Sequence, residues 1–285
     1  MTSSLFVSPA WLQAHIHDPS LRVLDARMLP PGYQGPRDLR VEYLAEHLPE
    51  AVMFDIEALS DSHSALPHML TSAGTFAAAM ESLGVGDRQH LVVYDDGSLF
   101  SAPRAWWMLH VIAGVEQVSL LAGGLAGWQR AGLPLAEGPV VPAPRTFRPR
   151  MAEGQVKSLA DIRRIIADRS AQIVDARPAA RFSGQAPEPR PGLHRGHIPG
   201  SCNLPWSELV RDGELKTPEE LQSLLKQAGI DTGRPLVASC GSGVTAAVAV
   251  LALTALGVDD VALYDGSWSE WGGRDDVPIA AGPQD

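Results

Sequence analysis

The feature that most constrains this chain is an internal repeat. "LRVLDAR" (Leu21–Arg27) returns as "AQIVDAR" (Ala171–Arg177), displaced by 150 residues. "EHLPEAVMFDI" returns as "GHIPGSCNLPW", with His47 and His197 again 150 apart. "HLVVYD" returns as "RPLVASC" at 145, and "LLAGGLAGW" as "LYDGSWSEW", pairing Trp128 with Trp271 at 143. Matches in one order with a slowly drifting offset mean two copies of one domain. The chain of 285 residues has room for two domains of ordinary size. Domain limits are expected at 1–136 and 156–285. The segment 137–155, rich in proline and arginine without an apolar period, is expected to link them.

Each copy reads as α/β. The short runs Leu21–Leu24, Leu91–Tyr94, Ile173–Val174 and Leu236–Ser239 lack the alternation of a half-exposed strand, as central parallel strands do. Between them lie stretches of helical period. Ser158–Ala167 is one, and Pro218–Ala228 another, with Thr217 as N-cap and proline at the first helical position. The alternation predicts two tandem domains, each a mainly parallel sheet with helices on both faces.

Composition excludes several classes of function. The formal charge of −10 argues against nucleic acid or an anionic membrane surface as partner. The uncharged stretch Val244–Val258 is too short and too rich in alanine for a good membrane span. The first fifteen residues show no basic segment leading into an apolar one, so no signal peptide is expected. Two cysteines rule out a disulfide scaffold and fit a reducing compartment, so a soluble cytoplasmic protein is expected.

One cysteine stands at a bend. "CGSGVT", Cys240 to Thr245, follows the carboxyl end of a parallel strand and enters a helix, the edge where open α/β sheets hold ligands. Gly241 and Gly243 let the backbone curl so that successive N–H groups converge, a nest for an anion. The next helix adds its positive end. A thiol there is expected as a thiolate, and Cys240 reads as a nucleophile. Cys202, at the start of a strand with no glycine nest, reads as a small buried residue. Cysteine phosphatases place an arginine six positions after the nucleophile, and Ala246 stands there. Sulfur transfer through a persulfide remains, needing neither metal nor cofactor. The first copy has Asp95 where the second has Cys240, and its loop "DDGSLFSAPR" is expected to be inactive and to repel anions.

These motifs resemble the rhodanese superfamily, and within it the two-domain 3-mercaptopyruvate sulfurtransferases. The likeness runs through "DAR", "HLPEAV", "SAPRAWWML" and "GGLAGW" in the first half. In the second it runs through the segment Asp175–Ser201, "CGSGVTA" and "YDGSWSEW". Thiosulfate sulfurtransferases carry basic residues in the cysteine loop, whereas Gly241, Ser242, Gly243, Val244 and Thr245 are uncharged. The resemblance implies an α-keto carboxylate donor held by Arg181 and Arg190. It also implies a serine–histidine–acid array of Ser242, His68 and Glu57, with Glu57 where aspartate also occurs. Physically, the segment 175–197 holds four arginines against two acids, and a guanidinium fork suits a carboxylate. Arg177, whose counterpart is Arg27 in the first copy, reads as half of a scaffold ion pair. Trp106, Trp107 and Trp128 read as packing.

The expected function is transfer of sulfur from 3-mercaptopyruvate through a Cys240 persulfide to a thiol such as thioredoxin, or to cyanide. A single active site on the second domain is expected to face the cleft between domains. The alternatives are a thiosulfate:cyanide sulfurtransferase, and a non-catalytic rhodanese-like binding or sulfur-carrier module.

Overall fold

The computed structural model describes residues 5–152 and 154–284. The outer limits expected for the domains, residues 1 and 285, and position 153 of the expected linker lie outside the described residues. The chain divides into two compact units. One comprises residues 1–62, 70–152 and 212–214; the other comprises 63–69, 153–211 and 215–285.

The first unit contains β1 (Phe6–Val7), α1 (Pro9–His15), β2 (Leu21–Asp25), α2 (Leu39–Ala45) and β3 (Val52–Met53). Then follow α3 (Ala73–Ser82), β4 (His90–Tyr94), α4 (Ala102–Val111), β5 (Val118–Leu121) and α5 (Gly124–Arg130). The second contains β6 (Val156–Lys157), α6 (Leu159–Asp168), β7 (Gln172–Asp175), α7 (Ala179–Phe182) and β8 (Cys202–Asn203). A short hairpin follows, β9 (Val210–Arg211) and β10 (Glu214–Leu215), of which residues 212–214 group with the first unit. The elements α8 (Pro218–Gln227), β11 (Leu236–Ser239), α9 (Ala246–Ala255), β12 (Val261–Tyr264) and α10 (Ser267–Trp271) complete the second.

The duplication holds strand for strand. The first sheet runs β1-β5-β4-β2-β3 and the second β6-β12-β11-β7-β8, and every strand pair within them is parallel. Central strands β4 and β11 are buried from Leu91 to Tyr94 and from Leu236 to Ser239, as strands of a parallel sheet covered on both faces are. Helix boundaries follow their caps. Ser158 and Asp161 close a capping box at α6, and Thr217 and Glu220 close one at α8, with Pro218 in its first turn. Helix α9 is apolar all round and buried from Ala246 to Leu253, as a helix with no solvent face must be. Trp128 anchors one core with Leu12, Val23, Val92 and Tyr94. Trp268 and Trp271 anchor the other with Ile162, Val237 and Tyr264. Trp106 and Trp107 are buried.

Register sets the site. In β7 and β11, Asp175 lies opposite Ser239, so the chain leaves both strands side by side at their carboxyl ends. The loops beginning at Ala176 and at Cys240 are therefore neighbours. Among the described residues, 137–152 contain no helix or strand, and Phe147 in that stretch is buried in the first unit.

Candidate active site

The loop from Cys240 to Thr245 is pinned by its carbonyls. The N–H groups of Trp268 and Ser269, in the first turn of α10, donate to the carbonyls of Cys240 and Gly241 at 2.9 and 2.8 Å. The Ser269 hydroxyl also donates to the Gly241 carbonyl, at 2.7 Å. With the Cys240 and Gly241 carbonyls taken by α10, the N–H groups of the bend are the donors that remain to be satisfied. Those of Gly241, Ser242, Val244 and Thr245 find no acceptor within the chain among the described residues. Gly243 turns the bend at φ 79°, a conformation that favours glycine. Cys240 sits at the base of this nest, 2% exposed. Thr245 occupies the N-cap position of α9 without a side-chain cap bond.

The Cys240 N–H donates instead to the Ser267 hydroxyl, at 3.2 Å, and that hydroxyl donates to the Tyr264 carbonyl, at 2.8 Å. Ser267 is fully buried with φ 48°, in the left-handed region that side chains avoid. Sequence reasoning missed it. The signal was the alignment of the repeats, where the equivalent residue is Gly124, at φ 55°.

The first unit shows what such a loop does with an anion. Its carbonyls are pinned in the same way, with the Leu125 and Ala126 N–H groups donating to Asp95 and Asp96. The carboxylate of Asp95 turns into its own loop. It accepts from the backbone N–H groups of Gly97 (2.9 Å), Leu99 (3.3 Å), Ser101 (3.1 Å) and Ala102 (3.2 Å). The expectation that this loop simply repels anions is therefore corrected: it is an anion nest filled by a residue of the chain itself. Burial and the neighbouring Asp96 push the Asp95 carboxyl above the ordinary range, against the pull of the N–H donors.

Beside the cysteine loop lies a chain of alternating charges. Arg177 makes a bidentate pair with Asp175, donates to the Gly196 carbonyl at 2.8 Å, and stacks its guanidinium 4.2 Å over Trp268. Its Nη1 donates at 2.8 Å to one oxygen of Glu188. The other Glu188 oxygen accepts from Arg181 Nε, at 3.0 Å, and from Arg181 Nη2. Arg181 Nη2 would lie 3.1 Å from a methyl carbon on Gly241, so the guanidinium borders the cysteine loop. The Arg181 side chain keeps 20% exposure, whereas Glu188 keeps 2%. The two acids of the segment 175–197 are thus Asp175 and Glu188, and both are engaged by arginines. Arg190 follows Glu188 by two residues on the same loop and is half-buried.

His68 is buried with φ 59°, and its Nδ1 shares a 2.8 Å hydrogen bond with the Ser242 hydroxyl. The segment 63–69 belongs to the second unit. Glu57 belongs to the first unit, in an exposed turn after β3. Cys202, buried in β8, has its thiol pushed up by desolvation, which makes it a poor nucleophile. Both cysteines are free thiols. Among the described residues no group of three or more His, Cys, Asp or Glu is placed to hold a metal ion.

Two segments, residues 8–131 and 158–274, match the model of the rhodanese-like domain. The chain belongs to the rhodanese family. It is 54% identical over 279 residues to the 3-mercaptopyruvate sulfurtransferase of Escherichia coli K12, covering 98% of this chain and 99% of that one. The human 3-mercaptopyruvate sulfurtransferase is 43% identical over 93% of this chain and 91% of its own. A thiosulfate sulfurtransferase of Cricetulus griseus is 41% identical, with the same coverage. Among solved structures, the crystal structure of the 3-mercaptopyruvate sulfotransferase SseA from Escherichia coli matches with a TM-score of 0.87. It is 53% identical, and the match covers 93% of this chain and 99% of that one. The duplicated sheets are accordingly two rhodanese domains in tandem.

Proposed function

We propose that this tandem rhodanese is a sulfurtransferase that takes sulfur from 3-mercaptopyruvate, and that its second domain carries the reaction. The observation that carries this reading is the contrast between the loops. One nest is filled by the Asp95 carboxylate, while in the other the N–H groups of Gly241, Ser242, Val244 and Thr245, next to a buried cysteine, have no acceptor among the described residues. We take the domains as 1–136 and 156–285, with 137–155 as the linker.

In this mechanism the donor carboxylate docks on Arg181 and Arg190. The Cys240 thiolate attacks the donor sulfur, forming the S–S bond as the C–S bond breaks. The electron pair of that bond passes into the enolate of pyruvate. Ser242 and His68 deliver the proton the enolate needs, so that overall the donor's thiol proton moves from sulfur to carbon. The negative persulfide stays in the nest of Gly241, Ser242, Gly243, Val244 and Thr245. A thiol then attacks the outer sulfur and restores the Cys240 thiolate. Reduced thioredoxin is the acceptor proposed, with cyanide as a substitute in vitro. Glu57 enters as the acid of the serine–histidine array on the strength of the family resemblance alone. No helix among the described residues is long and apolar enough to cross a membrane. With two free thiols in the chain, we assign the protein to the cytoplasm.

The test is turnover of the purified protein with 3-mercaptopyruvate and with thiosulfate, using one acceptor. A large excess of rate with 3-mercaptopyruvate is expected, because no cation stands in the loop 241–245 to meet a doubly charged donor. Faster turnover with thiosulfate overturns the donor assignment. Cys240→Ser abolishes persulfide formation, read by mass spectrometry; unchanged turnover in that variant removes the nucleophile from the scheme.

A further inference from the structure

The paired arginines of the two repeats differ in one respect. In the first unit Arg27 grips Asp25 and the Glu46 carbonyl, and no second carboxylate bonds it among the described residues. In the second unit the equivalent Arg177 grips Asp175 in the same way, and Glu188 is added to it. Glu188 joins the buried scaffold pair to Arg181, the only one of these arginines with substantial exposure. A carboxylate this deep needs hydrogen-bonding partners for both oxygens, and here each oxygen has its own arginine.

The geometry at Arg181 is directional. A guanidinium offers two edges for bidentate binding: the side edge of Nε with Nη2, and the end edge of Nη1 with Nη2. Glu188 takes the side edge with a single oxygen. Among the described residues Nη1 makes no bond, so the end edge is left, and Nη2 borders Gly241, next to Cys240. Without that grip a long, rotamer-rich side chain must be ordered by the donor at each binding event.

We propose that Glu188 is a positioning residue: it clamps Arg181 by its side edge onto the Arg177–Asp175 pair and presents the end edge to the donor carboxylate. The inference rests on the donor reading above. The clamp contributes to donor binding and leaves the chemistry at sulfur unchanged. It also costs attraction, because the Glu188 charge opposes an incoming anion. The two effects have opposite signs on KM, so experiment separates them.

The experiment is steady-state kinetics with 3-mercaptopyruvate and a fixed acceptor on Glu188→Ala, Glu188→Gln, Arg181→Ala and the double variant R181A/E188A. Thermal unfolding of each is measured alongside. The clamp predicts a KM about tenfold higher for Glu188→Ala and about threefold higher for Glu188→Gln, whose amide oxygen still accepts from Arg181. In both, kcat stays within about twofold of the parent. Because Glu188 acts through Arg181, adding Glu188→Ala to Arg181→Ala leaves KM unchanged within about twofold. A KM that falls in Glu188→Ala or Glu188→Gln overturns the proposal, since the carboxylate then only competes with the donor. So does a full additive loss in the double variant, or a fall in melting temperature with KM unmoved. If Arg181→Ala itself leaves KM unmoved, the donor reading fails first and the clamp fails with it. If Arg181→Ala raises KM while Glu188→Ala does not, the clamp alone fails.

Discussion

Ser267 keeps a side chain where its counterpart in the first repeat, Gly124, has none. A residue with a Cβ at φ 48° costs roughly 1–2 kcal/mol relative to an unstrained position. Its hydroxyl recovers about as much through its bonds to Tyr264 and to Cys240. Replacing Ser267 by glycine is therefore expected to leave stability within about 1 kcal/mol of the parent. The Cys240 N–H then has no fixed acceptor, and the rate of persulfide formation should drop several-fold in a single-turnover assay with 3-mercaptopyruvate. An unchanged rate would show that the hydroxyl serves only the backbone. At this scale the sequence was partly legible. The glycines around Cys240 announced a nest, because their conformational freedom is a property of the residue itself. Ser267 and Glu188 did not announce themselves, because their roles lie in partners 27 residues and 7 to 11 residues away. The pairing of Ser242 with His68, 174 positions apart, came from resemblance and not from spacing.

Among the elements, α4 holds a residue whose ionisation opposes folding. His110 lies in the last turn of α4, edge-on to Trp106 at 4.7 Å. A helix C-terminus favours a cation, yet burial wins and lowers the His110 pKa to about 4. The folded form therefore binds the proton less readily than the unfolded chain, whose histidine titrates near 6.5. Stability is full above that value and declines as pH falls toward 4, by about 3 kcal/mol in all on the linkage relation. Chemical denaturation at pH 7, 5.5 and 4.5 should show that slope, and His110→Gln should flatten it. An unaltered slope would assign the acid sensitivity to other groups. The loop ahead of α4 carries a second expectation. Asp95→Asn replaces one acceptor oxygen by a donor facing backbone N–H groups, each costing about 1–3 kcal/mol when left unpaired. The melting temperature should fall while KM for the donor does not move. The strands and capped helices were read from the sequence because apolar runs and Ser/Thr caps are local signals. The filled nest was not, because backbone N–H groups leave no mark in a sequence and an aspartate there reads as repulsion.

For the whole molecule, duplication supplied the scaffold twice and, in the function proposed above, the chemistry once. Both copies have five parallel strands in one order, an Asp–Arg pair beside the loop and loop carbonyls pinned by the first turn of the last helix, α5 or α10. Only the second has the arrangement of Arg181, Glu188 and Ser267 around its loop. A chain carrying Asp95→Cys together with Cys240→Ser is thus expected to release no pyruvate from 3-mercaptopyruvate, although it again has one cysteine in a glycine-bearing loop. Pyruvate release above background would show that the loop suffices. The tandem architecture was the most legible level, since the repeat offsets already set out the two domains and the order of their elements.

The Asp95 carboxylate also fixes a stoichiometry. A guest tethered to its own host is present at an effective concentration that no dissolved ion matches, so the first loop stays saturated at every donor level. A titration of the Cys240→Ser protein with 3-mercaptopyruvate should then end at one equivalent per chain, with a single class of sites despite two copies of the fold.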